Sequence, residues 1–250
     1  MKIFILLLLF PILSCANGID EKCPKHVIWS APIAKGESNQ YLCRTDYAVD
    51  YSYTTKTPLY VVEHITSDHI KLIVDRQNNF HEDVEIVEQY RSTLKDYASA
   101  DYDRGHLAPA GDFTYDKNVM SESFLLSNMM PQNKNNNRVI WNHLEQNVRK
   151  LVNKNKELYV ITGTIYYPNY KIIGNNVGVP DEIYKIVIDT NKNKMIAFKF
   201  PNKAIDAKLV ANYIVSVKSI EDITEINFSP NIPDELKELE LSIGKYKDWF

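Results

Sequence analysis

Cysteine is scarce in this chain and basic charge is not in excess: there are three cysteines, and the formal net charge at pH 7 is −3. Two cysteines beyond the leader fall short of the four ligands of a tetrahedral zinc site. The missing basic surplus counts against a protein that binds nucleic acid through overall charge. After Phe10 no apolar stretch is long enough to cross a bilayer. Internal repeats and low-complexity tracts are absent. The H-E-x-x-H spacing of zinc hydrolases is missing too, since His81-Glu82 has no second histidine in place. An H-x-K-x4-D phosphohydrolase motif also fails, because His69-Ile70-Lys71 reaches Asp75 one residue too early.

What is there is a chain of 250 residues, enough for one sizeable core or at most two small domains. Met1–Ala16 reads as a signal peptide: Lys2 gives a minimal positive start, Ile3–Phe10 is apolar, and Ser14-Cys15-Ala16 offers cleavage after Ala16. The protein is therefore expected to be secreted or periplasmic. The rival reading is an imperfect lipoprotein box with Cys15 lipidated. Cleavage leaves Cys23 and Cys43, and in an exported protein two remaining cysteines pair. That disulfide would staple an N-terminal arm, residues 17–43, to the domain at 44–250, contributing about 3 kcal/mol in the chain-entropy model. Two free thiols are the alternative.

From Asp46 the pattern turns to strands. Tyr47–Tyr53 and Leu59–Ile65 read as a pair, and Ile70–Val74 as a short third. Asp75–Phe80 is a polar loop, and Val84–Tyr97 a charge-rich bridge. Ser123–Met130 reads as a buried strand ended by Pro131. Ile140, Leu144, Val148, Leu151 and Val152 then recur at helical spacing. Asparagines at the start of this helix suit an N-terminus and Lys150 and Lys154 suit its end. Further strand runs lie at Glu157–Thr164, Val177–Pro180, Ile183–Asp189 and Met195–Phe200. The expected fold is one α+β domain with a mainly antiparallel sheet and no linker.

The chemistry gathers in Tyr102–Phe113, Y-D-R-G-H-L-A-P-A-G-D-F. Arg104 is a permanent planar cation that suits phosphate oxygens. His106 exchanges a proton near neutral pH. Gly105 permits unusual backbone or a close ligand approach, Pro109 fixes φ, and Gly111 permits another bend. An arginine and a histidine on such a loop suit a phosphodiester, one holding charge and the other activating water. The plainer reading is a polar turn with an Asp103–Arg104 ion pair.

D-R-G-H-L-A-P-A-G-D resembles the signature of the DNA/RNA non-specific endonucleases, the ββα-metal finger nucleases that include endonuclease G and secreted bacterial sugar-non-specific nucleases. The stretch S-N-M-M-P-Q-x4-N-x3-W-x3-E, Ser127 to Glu145, and the phrase T-P-L-Y-V-V-E-H are similar to the family as well. The resemblance implies a ββα-metal (His-Me finger) motif and a metal-dependent endonuclease acting on DNA and RNA with little sequence specificity. It implies His106 as general base, Arg104 and Arg76 on the substrate phosphate, and Asn137 as the one protein ligand of Mg²⁺, for which Mn²⁺ could substitute. Glu145, eight residues on, rises about 12 Å along the helix and would act through water. Asn128 would supply supporting hydrogen bonds. Read without the resemblance, Asn137 is a helix cap, Glu145 a surface glutamate and Arg76 a solvated loop residue. A homodimer is left open. Charge is also uneven: Gln132–Lys156 carries six Lys/Arg against Glu145 alone, so a basic face on an acidic body is expected. The alternative function is an exported nucleic-acid-binding or inhibitor-binding protein of the same fold without turnover.

Overall fold

The computed structural model describes residues 19–34, 39–98 and 101–250. The leader Met1–Ala16, with Cys15, lies outside them.

Long runs of β-branched and aromatic residues form a seven-stranded sheet whose neighbours are all antiparallel. Its strands are β1 (Asn39–Cys43), β2 (Tyr47–Ser52), β3 (Thr57–Thr66), β6 (Glu157–Ile165), β7 (Glu182–Asp189), β8 (Lys194–Pro201) and β9 (Ile214–Val215). The two missing numbers belong to a separate ribbon, β4 (Tyr102–His106) and β5 (Met129–Asn133). Spatial order in the sheet is β9-β8-β7-β6-β3-β2-β1. Both faces are covered, which is why β3, β6 and β7 read as nearly continuous apolar runs rather than clean alternation. Val61 and Ile65 of β3 face one core, with Leu144, Val148 and Val152 of the long helix. Tyr60 and Val62 face a second core, with Ile19, Cys23, Val217 and Ile220.

The arm does not stand apart from the domain. Its residues Asn39–Cys43 are the edge strand β1, paired with β2 from Asn39↔Ser52 to Cys43↔Ala48. The Cys23–Cys43 disulfide closes a loop of sequence separation 20 and ties the short helix Ile19–Lys22 to that edge.

The finger follows from β4. After β4 come a 3-10 turn at Ala110–Asp112, the helix Lys117–Glu122, and β5, which returns antiparallel to β4 with Arg104 opposite Pro131 and His106 opposite Met129. A helical run then starts at Lys134–Asn136, passes through a π turn at Asn137–Trp141 and continues as an α-helix over Asn142–Asn155. All five residues of the predicted apolar stripe are buried.

Two strand expectations are corrected. Ile70–Val74 is not a strand: Ile73 N and Val74 N both donate to Thr114 O at 3.0 Å, so the loop near the finger takes the bonds a neighbouring strand would have taken. Ser123–Met130 is not one strand either. It holds a 3-10 turn at Leu126–Asn128, and β5 begins only at Met129, with Pro131 inside it. Burial is the same in both arrangements, so apolar content could not separate them. Pro131 is tolerated because the ribbon has two strands and leaves an edge that needs no donor.

Candidate active site

Pleating puts Arg104 and His106, two residues apart on β4, on one side of the ribbon. Both line a cleft of about 490 Å³. Gly105 between them lies in extended backbone with no left-handed φ. A Cβ there would stand 2.6 Å from Cβ of Gln132. The glycine is thus required by the close approach of Gln132, and not by an unusual turn. At Gly111 a Cβ would stand 2.9 Å from Nη1 of Arg149, the movable end of a long side chain, so glycine is less strictly required there.

His106 is held from three sides. Its ring meets Phe80 and Phe124 edge-on, with centroids 5.5 and 5.0 Å away. Asn128, fully buried, fixes Ala108, two residues on from His106: its Oδ1 accepts from Ala108 N at 2.9 Å, and its Nδ2 donates to Ala108 O and Ser123 O, both at 2.8 Å. A hydrogen bond links the ring to the Arg104 backbone. It falls to Nδ1, because Nε2 is buried without a partner among the described residues. Burial, then the positive charge of Arg76, pushes the imidazole down to about 3, against the pull of the Arg104 backbone bond. The ring is neutral at physiological pH, with a lone pair left on one nitrogen.

Four arginines, Arg76, Arg104, Arg138 and Arg149, line this cleft against two carboxylates, Asp103 and Glu145. The balance favours an anion. Arg104 lies over the Phe80 ring at 4.1 Å. Arg76 donates from Nε to Asn78 Oδ1 at 2.8 Å and stands 5.0 Å from the Phe124 centroid. Asp103 does not pair with Arg104. It takes a two-pronged bond from Arg138, at 2.8 and 2.7 Å, and a third from Asn137 Nδ2 at 3.0 Å. Burial pushes the Asp103 carboxyl up, but these bonds hold it below its ordinary range.

Asn137 is not the helix cap. Asn133 is: its side chain accepts from Asn135 N and Asn136 N, both at 3.1 Å. Asn137 sits a turn later, in the π segment, and its Oδ1 accepts nothing among the described residues. Glu145 lies further along the same helix and is half-buried, not a surface residue. Burial pushes its carboxyl up to about 6, against the pull of Arg149 and Lys185. The amide oxygen of Asn137 and the carboxylate of Glu145 are hard donors suited to a divalent ion such as Mg²⁺. Among the described residues no group of three His, Cys, Asp or Glu forms a denser cage.

All four residues assigned to the reaction, His106, Arg104, Arg76 and Glu145, line this cleft with Asn137, while Asn128 supports it from the core. Of the six cations in Gln132–Lys156, only Arg138 and Arg149 line it. Arg149 went unread in the sequence. It donates from Nη1 to the buried Asp112 at 2.8 Å, and its position four residues after Glu145, on the same helix face, was the available signal. Asp103 as partner of Asn137 and Arg138 had no signal, since the pairing is made across chain segments.

Comparison with known proteins bears on this geometry. The family model described as DNA/RNA non-specific endonuclease matches residues 30–235. Nuclease C1 of Cunninghamella echinulata var. echinulata is 35% identical over 211 residues, covering 77% of this chain and 84% of its own. The mitochondrial nuclease EXOG of Mus musculus is 30% identical over 220 residues, which are 80% of this chain but 59% of the mouse protein. A crystal structure of the EndoG/EndoGI complex, described as showing the mechanism of EndoG inhibition, superposes with a TM-score of 0.75 at 31% identity, covering 80% of this chain and 89% of that one. The relatives also overturn the expectation of a secreted or periplasmic protein, and the Cys15 anchor with it. Mouse EXOG, a Saccharomyces cerevisiae relative and bovine endonuclease G are mitochondrial nucleases.

Proposed function

This chain belongs to the DNA/RNA non-specific endonuclease family, and we propose that it hydrolyses phosphodiester bonds within DNA and RNA, with Mg²⁺ as cofactor and Mn²⁺ as a substitute. One observation carries the reading: His106, which keeps a buried ring nitrogen without a partner among the described residues, lines a cleft with four arginines. The mitochondrion, the compartment in the names of mouse EXOG, the yeast relative and bovine endonuclease G, is the inferred one.

His106 Nε2 accepts the proton of the attacking water, as general base. Its neutral state makes that proton transfer available, and Asn128 with the Arg104 backbone keeps the ring in place. Arg104 and Arg76 hold the phosphoryl oxygens as charge builds in the transition state. Asn137 Oδ1 would hold the cation and Glu145 would act through water, which would keep the protein's share of ligands small. When bound, the ion supplies positive charge for the phosphate and the leaving oxygen. Arg149, braced by Asp112, adds positive charge on the helix side of the cleft.

A protein of this fold that binds without turnover is the second reading. The joint presence of His106, Arg104 and Asn137 in one cleft weighs against it. Digestion of supercoiled plasmid and of RNA, with Mg²⁺ and with chelator, tests the proposal. Cleavage of both polymers with Mg²⁺ and none with chelator is the expected result. Intact polymers under every divalent ion, with binding retained, would leave the second reading standing.

A further inference from the structure

A second pocket, of about 360 Å³, adjoins the catalytic cleft and shares Arg76, Ala110 and Gly111 with it. Its rim is apolar. Leu72 is 90% exposed and Ile73 67% exposed, and the buried Met120 also lines it. Single exposed apolar residues need no explanation. These two are adjacent, stand beside a charged cleft, and are held rigidly. Thr114 O accepts from Ile73 N and Val74 N, and Thr114 Oγ1 donates to Lys71 O at 2.9 Å. The backbone is tied down on both sides of Leu72, and the side chains are left in water.

We propose that this pocket receives the nucleobase of a nucleotide flanking the scissile phosphate. The inference rests on the nuclease reading above. A phosphate held by Arg76 and Arg104 brings its neighbouring nucleotide to the shared wall. The volume lies at the small end of ligand pockets and suits one base, not a duplex. Its chemistry selects the base over the backbone. Aliphatic walls and a thioether favour a flat apolar face, while Asp75, which also lines the pocket, accepts hydrogen bonds and repels phosphate. Because every base has such a face, the contact adds affinity without sequence choice.

The test compares a single-stranded oligonucleotide with an abasic strand of equal length, using the full chain with Mg²⁺. The parent is expected to show a KM for the base-bearing strand lower by about five- to tenfold, the low end for base stacking. In Leu72→Ser/Ile73→Ser the two KM values converge, while Ile223→Ser, at an exposed apolar residue of the helix Val217–Thr224, keeps the parent's ratio. A ratio unchanged in the double variant overturns the proposal, as does a parent indifferent to the bases. Light scattering covers the remaining occupant: a dimer that the double variant converts to monomer makes the rim an interface between copies and overturns the proposal. A parent that cleaves neither strand brings down the nuclease reading itself, and the subsite with it.

Discussion

Asn137 donates from Nδ2 to Asp103 Oδ2 across 3.0 Å, and this bond fixes which end of the amide is left for a ligand. The oxygen is the free end. Asn137→Ala is therefore expected to lose nearly all cleavage. Asn137→Asp is not a mild change here: it replaces a donor by an acceptor and sets a second carboxylate against Asp103. Its rate is expected to fall at least tenfold or so by the loss of a charge-assisted hydrogen bond. Adding Asp103→Asn restores a donor on the opposite side, and the Asn137→Asp/Asp103→Asn pair should recover part of that loss. Plasmid cleavage rates against Mg²⁺ concentration check this. A double variant no better than Asn137→Asp would remove the pairing from the account.

His106→Ala is expected to lower cleavage by about 10²–10⁴-fold with the fold retained. The pH profile separates His106 from Glu145. In the free enzyme burial leaves the histidine without its proton down to about pH 3, whereas Glu145 loses its own near pH 6. The acid limb of kcat/KM should thus have its midpoint near 6, with activity gained as pH rises through it. Glu145→Gln should flatten that limb and lower the plateau. The same midpoint surviving in Glu145→Gln would assign the limb to another group.

Much of this site is legible in the sequence because its residues are local to two segments. Tyr102–Phe113 carries Arg104 and His106, and the helical periodicity from Ile140 to Val152 places the helix against the sheet. What stayed hidden depends on contacts between segments. Asparagine at 133, 135, 136 and 137 satisfies the capping preference equally; the end of β5 at Asn133 decides which one caps. Ile70–Val74 has strand composition, but Thr114 O takes the amides of Ile73 and Val74. Gly105 looks like a turn residue until Gln132 is seen against it.

His26 makes the fold acid-sensitive far from the cleft. It is buried, its Nε2 lies 3.0 Å from Arg44 O, and burial pushes its ring down from 6.5 to about 4. A histidine depressed in the fold contributes stability that is present above pH 6.5 and lost as pH falls toward 4, because the unfolded chain takes up the proton first. At about 1.4 kcal/mol per unit the loss approaches about 3 kcal/mol. Urea unfolding of the parent and of His26→Gln at stepped pH gives the difference curve. The parent's advantage should shrink across that window; a flat difference would mean that His26 titrates alike in both states.

Gly105→Ala tests the close packing that joins the two halves of the finger. The new methyl would stand 2.6 Å from Cβ of Gln132, too near for rotation of the Gln132 side chain to relieve. Gln132 donates from Nε2 to Asn136 Oδ1 at 2.9 Å, and Asn136 in turn donates to Pro201 O and Lys203 O at 3.0 and 3.1 Å. Displacing Gln132 therefore strains the first helical turn and the Asn137 next to it. The substitution should cost about 1–3 kcal/mol, the usual range for overpacking, and lower cleavage more than its stability loss explains at temperatures where the protein stays folded. Gln132→Ala would not cure it, since the Cβ remains. Gln132→Gly removes that atom. In the Gly105→Ala/Gln132→Gly variant the two costs should add to less than their sum, the sign of coupling between residues in contact. Thermal melts and cleavage rates of the three proteins read this directly. Simple additivity would show that the ribbon relaxes around the methyl, and that glycine at 105 answers some other need.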